Sequence, residues 1–115
     1  MAIPSGSGSE VLKRSYIDGL TTSGQTLITG VQHHIYTVLS IIVTNRSAGS
    51  LNLDMWIDYN AGGTDLYLID TMPVPAKSAF TWNDKIVLTG TDKLEIYFSG
   101  ASADVWCSYI DQDWT

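Results

Sequence analysis

Residues 51–59, LNLDMWIDY, alternate with a period of two. Leu51, Leu53, Met55, Ile57 and Tyr59 fall on one side of the alternation, and Asn52, Asp54, Trp56 and Asp58 on the other. Successive side chains point to opposite faces only in an extended strand, so the segment reads as a strand with one buried face. The same period recurs. In KLEIYF, residues 93–98, Leu94, Ile96 and Phe98 point inward, and in DVWCSYI, residues 104–110, Val105, Cys107 and Tyr109 share a face. Residues 35–44, IYTVLSIIVT, are β-branched and apolar on both faces, which predicts a central strand covered on both sides. Shorter strands are predicted at 25–29, 65–70, 78–82 and 85–88.

Turn signals separate these segments. Asn45-Arg46-Ser47-Ala48-Gly49-Ser50 reads as a loop, and Asn60-Ala61-Gly62-Gly63-Thr64 as a hairpin connection. Gly90-Thr91-Asp92 and Ser99-Gly100-Ala101 read as tight turns. Pro73 and Pro75 lack backbone donors and mark a sheet edge or a crossover between sheets. The expectation is an all-β, antiparallel β-sandwich of seven or eight strands, jelly-roll-like, spanning residues 15–115. Residues 9–20, SEVLKRSYIDGL, fit either a helical turn capped by Ser9 or a short strand.

Residues 1–14, MAIPSGSGSEVLKR, differ in character. They are expected to form an extended arm that docks on a partner. Ile3, Pro4, Val11 and Leu12 offer apolar anchors, and Lys13 and Arg14 offer charges for carboxylates. The segment lacks the apolar core of a secretory signal peptide.

Composition excludes several function classes. The formal net charge is −6, from 6 cations and 12 acids, which argues against nucleic acid and against anionic membrane surfaces as partners. The apolar run from Tyr36 to Val43 is broken by Thr37 and Ser40 and is far too short to span a bilayer. The single cysteine, Cys107, permits no internal disulfide and reads as a buried small hydrophobe.

Chemistry is sparse. His33 and His34 are adjacent, so on a strand they point apart and do not chelate one metal; a surface turn before the central strand suits them better. Asp54 and Asp58 share a strand face but lie about 13 Å apart, beyond the about 5–9.5 Å of glycosidase carboxylates. Asp111 and Asp113 are near the end of the sequence, where a catalytic geometry is hard to hold. Neither a nucleophile elbow nor a phosphate loop occurs. The expectation is therefore no enzyme, no cofactor and no metal. Asn45-Arg46-Ser47 matches a glycosylation sequon by chance. Trp56, Trp82, Trp106 and Trp114 are candidates for a subunit interface, since aromatic residues are enriched there.

The stretches HIYTVLSIIVTNRSAGSLNLDMWI and DLYLIDTMPVPAKSAFTWNDKIVLTGTDKLEIYFSGASADVWCSYID resemble a group of small structural proteins of tailed bacteriophages. The resemblance lies in Thr37–Asn45, Pro73–Phe80, Lys85–Leu94 and Asp104–Ile110, and in the opening and closing segments. It implies a capsid decoration, or cement, protein of the virion surface, made in the bacterial host cytoplasm. The implied partners are the major capsid protein and further copies of the chain, commonly in a homotrimer, with the arm laid on the shell. The alternatives are a tail, neck or fibre component, and a carbohydrate-binding adhesion module that uses an outward tryptophan.

Overall fold

In the computed structural model the described residues are 9–20, 24–60, 62, 64–100 and 102–114. They form nine strands: β1 (Ser9–Leu20), β2 (Gln25–Thr29), β3 (His34–Asn45), β4 (Leu51–Asp58), β5 (Asp65–Val74), β6 (Ala79–Trp82), β7 (Ile86–Thr89), β8 (Lys93–Phe98) and β9 (Ala103–Asp113). One sheet has the order β1-β9-β3-β6, with β7 also paired to β3. The other has the order β2-β8-β4-β5. Every pairing is antiparallel.

The pairings are nested. β4 pairs with its neighbour β5, β3 with β6 and β7, β2 with β8, and β1 with β9. A long hairpin rolled up in this way is a jelly roll, with β6 and β7 together filling one of its eight strand positions. The break between them has a local cause. β3 carries a bulge between Val38 and Ser40, where its register to β9 shifts, and residues 83–85 interrupt the opposite side at that level. The Trp82 indole N–H caps the break by donating to the Asp84 carbonyl at 2.8 Å. The second Pro-containing segment behaves as its chemistry demands: Pro73 sits in β5, at the edge of its sheet.

The core lies between the sheets. Leu53 and Met55 from β4, Leu94, Ile96 and Phe98 from β8, and Val105 and Cys107 from β9 are buried, as the period-two pattern requires. Val38, Ile41 and Val43 from β3 and Leu88 from β7 join Val105 and Cys107 on the first sheet's inner face and meet the β4 and β8 residues of the second. Asn45 is fully buried at the end of β3. Its amide donates to the carbonyls of Gly49, Val74 and Pro75, and its side-chain oxygen accepts from both Ser47 N–H and Ser47 O–H. One side chain thus shapes the 45–50 loop and joins β3 to β5 of the other sheet. Gly30 is required where β2 meets the β7–β8 turn, because a Cβ there would fall on the Gly90 and Asp92 carbonyl oxygens.

Two expectations are corrected. Residues 9–14 are not part of an extended arm: they are the first half of β1, in register with β9 from Ser9–Asp113 to Arg14–Ser108. Glu10, Leu12 and Arg14 take the outer face and Val11 and Lys13 the inner one, and β9 pairs with one side of their backbone. The arm's Ile3 and Pro4 lie outside the described residues. Likewise β3 is covered on one face only, because two layers enclose a single interior. Its outward Ile42 remains exposed.

The facing assignment of β4 yields a direct check. Met55 is 1% exposed, whereas Ile57 is half-buried near the strand end. Met55→Asp is expected to cost more than about 4 kcal/mol, by placing an unpaired carboxylate in the core. Ile57→Asp is expected to cost less. Urea unfolding of the two variants measures the order.

Candidate functional site

The outer face of the five-stranded sheet gathers Leu12, Tyr16, Ile42, Val87 and Trp106, all exposed large apolar residues. Cross-strand register sets the rows. Tyr16 of β1 lies opposite Trp106 of β9, which lies opposite Ile42 of β3. Arg14 lies opposite Ser108, and Ser108 opposite Ser40. Leu12 lies opposite Ile110, followed by Thr37 and then Val87 of β7. Leu12 is 72% exposed, Tyr16 57% and Trp106 44%.

These side chains are organised. The Tyr16 and Trp106 rings stack, with centroids 5.5 Å apart and planes 16° from parallel. The Arg14 guanidinium sits 5.3 Å from the Tyr16 centroid and 5.1 Å from that of Trp106. Strand geometry explains the reach, since residues two apart share a face and diagonal neighbours touch across strands. A cation over exposed rings contributes about 0.5–1 kcal/mol and holds the indole in place. The small Ser40 and Ser108 beside Arg14 leave a groove of about 630 Å³, walled by Leu12, Leu39 and Trp106. A second groove, of about 330 Å³, lies on the other side of Trp106, between Tyr16, Ile42 and Asp104. Asp104 at its rim is held by Gly19 N–H at 2.9 Å and by Arg46 Nε at 2.9 Å. A ridge of one cation and two rings between two apolar grooves is suited to seating another molecule.

A polar cluster stands behind this face at one end. Asp111 points inward from β9 and is 6% exposed. Lys13 Nζ of β1 lies 2.8 Å from its Oδ2, and His34 Nδ1 of β3 lies 2.7 Å from its Oδ1. His34 Nε2 is 3.5 Å from Asp113 Oδ1. One carboxylate therefore ties three strands. Burial pushes the Asp111 carboxyl up, but the hydrogen bonds and charges of Lys13 and His34 outweigh it, so the net shift is below its ordinary value of 3.8. Lys13 is raised above 10.5, first by its hydrogen bond to Asp111.

The sequence candidates distribute unevenly. Leu12, Arg14 and Trp106 come together on the outer face, while Val11 lies opposite Asp111 and the Lys13 ammonium turns inward to it. The four tryptophans do not share a surface. Trp56 packs against Tyr67 with tilted rings, centroids 5.5 Å apart, on the outside of the other sheet. Trp82 packs against the core, and Trp114 has a buried indole nitrogen without a hydrogen-bond partner. Tyr16 and Ile42 were not singled out in the sequence. The signal for Tyr16 was the alternation Leu12, Arg14, Tyr16, Asp18, visible once residues 9–20 are read as a strand. The adjacent histidines do part: His33 occupies a turn with φ 69°, and His34 opens β3. Asp54 and Asp58 accept hydrogen bonds from Thr71 N–H and Gly62 N–H, fixing a bulge and a turn. Among the described residues no group of three or more His, Cys, Asp or Glu side chains is placed to hold a metal ion. The fully buried Asn45 amide is closed to the modification its sequon suggests.

No protein-family model and no curated protein matches the chain. Solved structures do. A subunit of the Bacillus endospore appendages, described as disulfide-linked pili, superposes with a TM-score of 0.55 at 15% identity, over 100% of this chain and 97% of that one. The infectious bursal disease virus VP2 subviral particle gives a TM-score of 0.48 at 13% identity, over 95% of this chain but 38% of that one. The first likeness is one of fold and covers both chains nearly in full. A disulfide link through Cys107 is not open to this chain, since burial closes off the thiol and pushes its pKa up to about 12.

The Asp111 cluster makes stability depend on pH in a defined direction. The folded pKa lies below the unfolded one, so the stabilisation is present above about pH 4 and is lost as pH falls through the folded value. Asp111→Asn is expected to lower stability by about 1–3 kcal/mol at pH 7. That gap should close in acid, which unfolding series at neutral and acid pH measure.

Proposed function

We propose that the chain is a structural assembly protein of a tailed-phage virion, a decoration or cement protein that binds the mature shell through the outer face of its five-stranded sheet. The observation that carries this reading is the Arg14–Tyr16–Trp106 ridge with its two apolar grooves. Exposed aromatic residues beside an arginine are the residue types that anchor protein interfaces. The jelly-roll sandwich is a shape that capsid-type assemblies use, and the likeness to a pilus subunit over nearly its whole length agrees with a non-enzymatic building block.

In this reading the major capsid protein is the partner. Residues 1–8, with Ile3 and Pro4, supply further apolar anchors for the shell. The homotrimer is the assembly state the phage resemblance implies. Several copies acting together turn modest contacts into firm attachment, and binding only the mature lattice stabilises it by mass action. A strongly acidic exterior keeps densely packed copies apart from one another and soluble.

Co-sedimentation with capsids stripped of the protein tests the reading. Full-length protein is expected to pellet at a fixed ratio to the capsid subunit. Trp106→Ala should bind at least about tenfold more weakly while unfolding at nearly the same temperature. Removal of residues 1–8 should weaken attachment and leave β1 intact. Trp106→Ala binding at full strength would exclude this face as the docking surface, and pelleting with purified cell-wall polysaccharide instead of capsids would favour a glycan-binding module.

A further inference from the structure

The sandwich has four sheet edges, and three of them are blunted. The β6–β7 edge consists of two four-residue strands separated by residues 83–85. β2 is five residues long with a register shift between Thr26 and Ile28. β5 carries register shifts against β4, Pro73, and a β-branched residue, Thr71, at φ 55°. These are the usual devices that stop a sheet from adding strands. β1 has none of them over Ser9–Asp18, which pairs residue for residue with β9 before the shift at Gly19. Its far side is the edge of the sheet among the described residues. The one inward charge that could guard this edge, Lys13, is drawn to Asp111 and does not lie across it.

We propose that β1 pairs antiparallel with β1 of a second copy, around a two-fold axis at Leu12. An axis normal to the sheet keeps both outer faces on the same side and passes through a residue position. Centred on Arg14, the pairing would oppose Arg14 to itself and Glu10 to Asp18. Centred on Lys13, it would oppose two lysines. Centred on Val11 or Ser15, it brings no opposite charges together. Centred on Tyr16, it would match Arg14 with Asp18 but would run Lys13 into the Gly19 irregularity. Centred on Leu12, it places Glu10 opposite the partner's Arg14 and Arg14 opposite the partner's Glu10. Leu12, the most exposed large apolar side chain among the described residues, then meets its own copy between two opposite-charge pairs. Directly opposed pairs of both kinds stabilise antiparallel strands.

The pairing joins the two ridges into one continuous outer face. It stands apart from the shell-binding reading and needs no capsid. If the chain is a trimer, the β1 contact links one trimer to the next, so the particle in solution contains an even number of chains.

Sedimentation equilibrium of the full-length protein with charge-exchanged variants tests it. Wild type is expected to have the mass of an even number of chains. Glu10→Arg and Arg14→Glu should each halve that mass, and the double variant should restore it, a rescue that loss of the Arg14 stack alone would not produce. As a second readout, Leu12→Cys should form a disulfide-linked dimer under mild oxidation, while Tyr16→Cys should not, Cys107 being buried in both. A wild type with one chain or an odd number, a double variant that stays at the halved mass, or cross-linking at Tyr16 rather than Leu12 would overturn the proposal.

Discussion

Two stacked sheets enclose one apolar layer, so each strand can hide only one of its faces. β3 is apolar on both. Its inward Val38, Ile41 and Val43 complete the core, and its outward Ile42 is left against Trp106 and Tyr16 on the open side of the sheet. The same sequence that makes β3 the centre of its sheet therefore leaves apolar surface open on the sheet's outer face. Arg14, spread over two stacked rings, keeps the aromatic surface of that face in one arrangement.

Around this centre, the fold is held by a few polar side chains where the apolar layer ends. Asn45 closes one end of β3 and ties it to the other sheet. Asp111 closes the other, gathering Lys13 and His34 from the neighbouring strands. Both are buried polar groups whose hydrogen bonds are made, which fixes register more than it adds stability. Because Lys13 belongs to β1, the Asp111 contact also holds that strand against β9.

Strand positions with a strict period of two were legible in the sequence: β4, β8 and β9 lie where alternation placed them, with Leu94, Ile96, Phe98 and Cys107 inside. What eluded the sequence were features that depend on distant partners. Residues 9–14 read as part of an arm because the adjacent Lys13 and Arg14 follow a Ser/Gly-rich run, and residues 9–20 fitted a helical turn as well as a short strand. Asp111 compensates the first charge and the Tyr16–Trp106 stack the second, and Asp111 lies 98 positions away in the chain. The tryptophans were legible as a class but not as a surface. Each indole's exposure is set by the strand opposite it, so Trp106 alone joins the ridge, whereas Trp82 turns to the core. The split of β6 from β7 was legible as two separate short strands, 78–82 and 85–88, whereas the bulge at Leu39 that faces it leaves no local signature.

The central claim is that the outer face of the five-stranded sheet is covered in the assembled particle. Hydroxyl-radical footprinting of free and particle-bound protein measures this at single side chains. Trp106 and Tyr16 are predicted to be oxidised in the free protein and protected in the particle. Tyr67, equally open on the opposite sheet, is predicted to react in both states. Equal oxidation of Trp106 in the free and bound protein, with Tyr67 protected on binding, would contradict the account and place the interface on the other sheet.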